Sequence, residues 1–168
     1  MIKELWILIK MLFQSRPSEC IGKPQELIMM VHFPFKVSTF MSWCGKIITR
    51  TEYKDVVHQF LETDDGERVK THEHGHVVQA DNLHGDNWLS FYLSYYWNWI
   101  KHGLMSPLSA NYYINKYEAE AFANEGNPDY WKNYTKDSIK KYTFKDAKKL
   151  YKQVGGTPED WKAYVKSL

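Results

Sequence analysis

Three residues between Thr71 and Val77 restrict the fold more than any other part of the chain. His72 and His76 are four positions apart, and Glu73 directly follows the first histidine. On an α-helix, residues at this spacing lie on one face, one turn apart, so both imidazoles can reach one ion. Glu73 lies about 100° further round, where its carboxylate can take a proton from a metal-bound water. The spacing predicts a zinc-binding helix with His72 and His76 as ligands and Glu73 as the general base.

Apolar residues around the motif follow the same helical spacing. Val69, Ala80 and Leu83 share a face with the two histidines, which places both imidazoles on the buried side of the helix. Burying two imidazoles without a partner is costly, so a bound metal is the favoured interpretation.

A β-strand is the alternative for the same segment. His72, His74 and His76 alternate, so on a strand all three would share one face, as in cupin-like metal sites. The residues that follow do not alternate strictly between apolar and polar, which favours the helix.

The composition is that of one domain with two free thiols. A chain of 168 residues is long enough for a hydrophobic core. Cys20 and Cys44 form no disulfide or zinc pattern, which indicates a reducing compartment, the cytoplasm. The run from Leu5 to Phe13 is interrupted by Lys10 and has no small-residue cleavage site, so it predicts an amphipathic helix rather than a secretion signal. No stretch reaches the ~18 apolar residues of a membrane span.

The predicted single domain, residues 1–168, has three consecutive parts. The first, 1–34, combines a helix over 2–14 with a proline-punctuated loop from Arg16 to Pro34. The second, 35–135, is the core that contains the histidine helix, and the third, 136–168, forms basic C-terminal helices. Ten lysines and four acidic residues lie within 131–168, which gives this end of the chain its positive charge.

Within the core, alternating residues over 40–50 predict one strand with a largely apolar face. Asp64-Asp65-Gly66 is typical of a turn, so we expect the histidine helix to run from near Arg68 to Leu83. Trp88 to Gly103 contains seven aromatic residues at helical spacing. This favours a buried helix packed against the histidine helix, with a membrane-surface or ligand-stacking role as the alternative. Further helices are predicted over 109–125 and after Asn127-Pro128 and Thr157-Pro158.

A catalytic zinc needs a third protein ligand. Glu118 and Glu120 both lie on the predicted helix over 109–125, but about 200° apart around its axis, so only one of them can reach the metal. Alanines at 119 and 121 indicate close packing against another helix.

These motifs resemble the gluzincin type of zinc metallopeptidase, in particular its short bacterial forms of uncharacterised function. The resemblance is carried by Thr71-His-Glu-His-Gly-His-Val-Val-Gln79, the aromatic helix and Tyr117-Glu-Ala-Glu-Ala121. It implies Zn²⁺ held by His72, His76 and Glu118, with Glu73 as the base. Such proteins often have Asp directly after the last Ala, where it supports a ligand histidine, whereas this chain has Phe122.

The expected fold is therefore α+β, mainly helical, a zincin-like domain with a small β-sheet over the histidine helix. The expected activity is hydrolysis of a peptide or protein substrate, which the strand over 40–50 would bind as an added strand. An oxyanion donor is open among Tyr112, Tyr113, Tyr117 and His84. One alternative is a degenerate metal-binding interaction domain without activity. The other is binding of anionic surfaces or nucleic acid by the lysine-rich C-terminal region, although inward aromatic residues on amphipathic helices explain that pattern equally well.

Overall fold

The computed structural model describes residues 2–31, 40–103, 113–145, 147–155 and 157–168. Within these ranges the chain is mainly helical with one small sheet, as the sequence predicts. The helices are α1 (Ile2–Gln14), α2 (Lys54–Leu61), α3 (Asp64–His84), α4 (Trp88–Gly103), α5 (Lys116–Ala123), α6 (Pro128–Lys132), α7 (Ala147–Val154) and α8 (Pro158–Lys166). The strands are β1 (Leu27–Met30), β2 (Phe40–Trp43) and β3 (Lys46–Arg50), and short 3-10 helices occupy Pro17–Cys20, Thr51–Tyr53 and Ser138–Tyr142. No helix in the described ranges is both long and apolar enough to cross a membrane.

The segment over 40–50 is a hairpin, so the prediction of one continuous strand was wrong. β2 and β3 are antiparallel, and Trp43 pairs with Lys46 across a two-residue turn. Cys44 and Gly45 in that turn both have positive φ, 50° and 74°. Such a turn reverses the chain with the twist that paired strands require. Cysteine is not a usual residue for this conformation, which is why the sequence did not mark the turn.

The proline-punctuated segment from Arg16 to Pro34 also contains more structure than a loop. Pro17–Cys20 is a 3-10 helix, and Leu27–Met30 forms β1, which pairs in parallel with β3. The sheet order is β1-β3-β2, so β3 is central and both of its edges are paired. An extended peptide therefore cannot be added to β3. Among the described residues β2 is an edge strand, so peptide binding by the segment over 40–50 stays a prediction for β2 alone.

The sheet packs mainly on α1, and it reaches the histidine helix at the hairpin turn. Met30 and Ile48 form a buried cluster with Leu8 of α1. Cys44, in the turn, packs with Val77 and Ala80 of α3. The sheet thus lies beside α3 as well as over α1, which differs from a sheet laid across the histidine helix alone.

Helix α3 begins earlier than expected because Thr63 caps it. The Thr63 side chain accepts a hydrogen bond from the Gly66 backbone, and acidic residues occupy the first turn, where the helix dipole favours them. Asp64-Asp65-Gly66 is therefore the first turn of the helix rather than a separate turn. Gly66 is required there, since a Cβ would come within 2.1 Å of the Phe60 carbonyl oxygen.

The aromatic helix α4 packs against α3, as predicted. Trp88 and Phe91 are buried in one cluster with Val77 and Ala80 of α3, and this cluster also includes Tyr117 of α5. The cluster fixes α3, α4 and α5 relative to one another, and these three helices supply the candidate site.

The aromatic residues of the C-terminal region point inward. Trp131 packs with Val78 and Ala121, and Tyr142 packs with Ala119 and Val165. The predicted caps are present, since Asn127 caps α6 and a capping box at Thr157 opens α8. Amphipathic packing therefore accounts for the alternation of lysine and aromatic residues. Of the predicted helix over 109–125, residues 109–112 lie outside the described residues, and α5 covers Lys116–Ala123 of the described remainder.

Candidate metal centre

Helices α3 and α5 bring His72, His76 and Glu118 together in the interior. His72 Nε2 lies 3.3 Å from Glu118 Oε2, and His76 Nε2 lies 3.2 Å from Glu118 Oε1. The three side chains are only 5, 7 and 3 % exposed, respectively. Their potential ligand atoms all lie within 4.8 Å of one another, and among the described residues this is the group that could hold a metal ion.

The potential ligand atoms are close enough to share one metal ion. With bonds of about 2.0–2.1 Å, two ligand atoms of tetrahedral zinc are about 3.3–3.4 Å apart. The two nitrogen–oxygen distances, 3.2 and 3.3 Å, are of this size, but each involves a different oxygen of Glu118. Glu118 Oε2 has no hydrogen-bond partner among the described residues, although it is buried. His72 Nε2, 3.3 Å away, partly compensates the charge of this oxygen, and a metal ion would compensate it further.

Helical phase separates the two glutamates of α5. Glu118 faces the imidazoles, while Glu120, fully buried, points away from them and accepts hydrogen bonds from Tyr130 (2.7 Å) and Tyr134 (3.2 Å). The Asn115 side chain caps α5 by accepting from the Tyr117 backbone. Ala121, directly after Glu120, is fully buried and packs with Val78 of α3, so α5 can approach α3 closely there.

A chain of hydrogen bonds orients His76 from behind. The Gln79 amide nitrogen donates to the Tyr117 carbonyl oxygen (3.1 Å) and to Glu120 Oε2 (2.8 Å). Both amide hydrogens are thereby used, so Gln79 Oε1, 2.9 Å from His76 Nδ1, must accept from it. With the proton on Nδ1, the neutral ring presents the lone pair of Nε2 to the Glu118 side, as a metal ligand requires.

The charges of the site are tightly coupled. Burial by itself lowers the pKa of His76, but the charge of Glu118 and its hydrogen bond raise that pKa to about 9. Burial by itself raises the pKa of Glu118, whereas the neighbouring imidazoles lower it well below its usual range. A metal ion would have to displace the proton that the charge of Glu118 holds on His76, so metal binding should weaken as the pH falls.

His72 lacks the support that His76 has. Its Nδ1 is buried without a hydrogen-bond partner among the described residues. The His72 ring lies 4.5 Å from the ring of Phe122, measured between centroids. An aromatic side chain thus packs against His72 from the position where the family resemblance implied an aspartate.

Tyr95 is a member of the site that the sequence indicated only as part of the aromatic helix. Its hydroxyl donates a 2.7 Å hydrogen bond to Glu118 Oε1. It comes from α4, which packs on both other helices of the site, and this tertiary arrangement has no local signal. The hydrogen bond fixes the orientation of the Glu118 carboxylate between the two histidines.

The remaining predicted residues take different positions. Glu73 is half buried on α3, and its charge contributes to raising the pKa of His76. His74 is also half buried, and burial lowers its pKa. The Tyr117 hydroxyl contacts His84 and Ser94, at 2.9 and 2.7 Å, which commits both Tyr117 and His84 to a separate network.

Of the other two candidate oxyanion donors, Tyr112 lies outside the described residues. Tyr113 lies beside Phe122, with ring centroids 5.1 Å apart. Its pKa is raised by burial first and also by the charge of Glu118, so its hydroxyl stays protonated at neutral pH and can donate.

Gly75, between the two histidines, leaves room for a side chain that packs directly on α3. A Cβ at this position would come within 2.4 Å of the Trp131 ring. Glycine in mid-helix costs about 1 kcal/mol, but here it allows Trp131 to pack directly on the α3 backbone. The close neighbour of Gly75 is thus an aromatic side chain.

We expect Gln79→Leu to lower zinc affinity by about 10–100-fold, the usual effect of losing a partner that orients a ligand histidine. Leucine fills the space but cannot accept the proton of His76 Nδ1. A competition titration with a zinc chelator measures the change. The control is Gln59→Leu, the same substitution at an exposed residue of α2. Unchanged affinity would show that Gln79 does not set the tautomer of His76.

No protein-family model, curated protein or solved structure matches the chain.

Proposed function

We propose that this protein binds zinc through His72, His76 and Glu118 and hydrolyses peptide bonds, with Glu73 as the general base. The observation that carries the proposal is the convergence of two imidazole nitrogens and one carboxylate on a single buried point. Two histidines and one carboxylate are a donor set of catalytic zinc, which leaves a fourth position for water or substrate. Imidazole also suits other divalent metals, and zinc is proposed because two histidines and one carboxylate are among its common catalytic ligand sets.

Each residue of the site has its own role in the proposed hydrolysis. A bound zinc ion would act as a Lewis acid: it would polarise the substrate carbonyl and lower the pKa of a bound water to about 7. Glu73 accepts a proton from the attacking water, whose oxygen forms a bond to the carbonyl carbon. The carbon–nitrogen bond then breaks, and Glu73 returns the proton to the leaving amine. Tyr113 is the candidate donor to the carbonyl oxygen among the described residues.

The test measures zinc and hydrolysis on the same preparation. We expect elemental analysis to find about one zinc per chain, the number of ions that a three-ligand site holds. Digestion of casein should stop when a chelator removes the metal and resume when zinc is restored. Protein that neither contains nor takes up zinc would show that the three side chains form only a buried ion pair.

A second candidate is a metal-binding domain without peptidase activity. It is favoured by the low exposure of the three ligands and by Phe122, which packs against His72 where a supporting carboxylate is expected. Zinc content without hydrolysis of any peptide in a broad library would support this candidate against the peptidase.

A further inference from the structure

Helix α1 has two apolar faces, and only one of them is buried. Leu8 packs with Met30 and Ile48 against the sheet. The opposite face is also apolar and follows helical spacing. It carries Ile2, Leu5, Trp6 and Phe13, all of them exposed, with Trp6 at 56 %.

Helix α4 repeats this arrangement. Its inner face, with Trp88 and Phe91, belongs to the core. Its outer face carries large apolar side chains at positions i, i+4, i+7, i+8 and i+11, which lie on one side of a helix. These exposed residues are Leu89, Leu93, Tyr96, Trp97 and Ile100, with Trp97 at 66 %.

The two outer faces belong to neighbouring helices. α1 and α4 contact each other, and Met11 and Leu12 of α1 pack against the cluster that holds Trp88 and Phe91. We call the outer faces together the α1–α4 surface. Exposed apolar groups of this number on adjacent helices mark an interaction site rather than ordinary surface residues.

The charges near this surface are positive. Lys3, Lys10 and Lys101 are exposed on the two helices, and none of them forms a salt bridge among the described residues. α4 contains no acidic residue. The one acid of α1, Glu4, accepts a hydrogen bond from the Val31 backbone and lies on the inner side of the helix.

We propose that the α1–α4 surface binds an anionic lipid surface, with both helices lying in the plane of the interface. Tryptophan and tyrosine favour the boundary between water and lipid, and lysines beside the apolar face attract anionic headgroups. A second copy of the chain fits less well, because a two-fold interface places the same patch on both sides and brings lysines towards lysines. Lipid phosphates complement the charge instead.

This inference does not depend on the proposed hydrolysis, but it has a consequence for the metal centre. Tyr95 on the inner side of α4 donates its hydrogen bond to Glu118. The outer side of the same helix would lie on the lipid. The centre would then be held roughly one helix diameter, ~10 Å, from the membrane surface.

Sedimentation with vesicles tests the proposal, with phosphatidylcholine alone compared with phosphatidylcholine mixed with phosphatidylglycerol. We expect the wild type to sediment with the anionic vesicles and to be released at high salt. Lys3→Ala combined with Lys10→Ala should weaken partitioning by about 30-fold, because each lysine contributes about 1 kcal/mol near an anionic surface. Trp97→Ser should weaken it on both vesicle types.

The matched controls make comparable substitutions at exposed residues outside the α1–α4 surface. Val56→Ser alters an exposed apolar residue of α2, and Lys136→Ala with Lys152→Ala removes two exposed lysines from the C-terminal region. Both should bind vesicles like the wild type, and circular dichroism should show that all variants are folded. Failure of the wild type to bind anionic vesicles overturns the proposal. A dimer in light scattering that Trp97→Ser dissociates would overturn it as well and assign the surface to a second copy.

Discussion

Replacing His76 by alanine should leave the purified protein without zinc. The change removes one of three protein ligands, so the loss of affinity should exceed the ~10–100-fold effect of losing an outer-shell partner. It also leaves the buried carboxylate of Glu118 with a single imidazole, and breaking a buried ion pair costs about 3–5 kcal/mol. Elemental analysis and thermal unfolding with and without added zinc measure both effects.

His74→Ala is the matched control for this change. His74 lies on the same helix but outside the group of three. That variant should contain zinc like the wild type, and zinc should raise its unfolding temperature, since a ligand that binds only the folded state stabilises it. If zinc still raises the unfolding temperature of His76→Ala by the wild-type amount, the metal is bound elsewhere.

The histidine pair could be predicted because its geometry is local. Residues four apart share a helix face whatever the helix packs against, so His72 and His76 needed only a correct helix prediction. The position of Glu118 could be predicted only in part from local sequence. The phase of α5 separates it from Glu120, but its place beside the histidines depends on packing between α3 and α5. Tyr95 depends on a third helix, and nothing near it in the sequence indicates that contact.

The sheet shows where local patterns fail. Leu27–Met30 is a short apolar run between breakers, and it becomes a strand because β3 offers it a parallel partner. Cys44 and Gly45 turn the chain although cysteine is an unusual turn residue. At Asp64-Asp65-Gly66, residues typical of a turn became helical because Thr63 provides a cap. In each case a partner or a cap outweighed intrinsic preference.

The orientation of His76 depends both on a contact within its own helix and on contacts with another helix. Gln79 is three residues away on the same helix, so its contact with His76 Nδ1 is local. The orientation of the Gln79 amide, however, is set by Glu120 and by the Tyr117 carbonyl of α5. One buried glutamate of α5 therefore faces the metal position, and the other helps to fix the tautomer of its ligand.

Glu73→Gln should retain zinc and lose hydrolysis. The amide keeps the shape of the side chain but has no basic lone pair to take the proton of the attacking water, a contribution of about 10²–10⁴-fold in rate. Because Glu73 is outside the group of three ligands, the metal content should equal that of the wild type. Steady-state rates on a peptide substrate, measured beside elemental analysis, separate the two properties.

Glu67→Gln makes the same chemical change on the exposed side of α3, where Glu67 pairs with Lys70. It should keep both zinc and activity, so a loss specific to Glu73→Gln reports proton transfer and not the charge of the helix. Full activity of Glu73→Gln would remove Glu73 from the mechanism and leave another group to take the proton. Loss of zinc from that variant would instead make Glu73 a ligand. A catalytic base alone predicts bound metal together with a slow reaction, because the metal site stays intact while the proton has no acceptor.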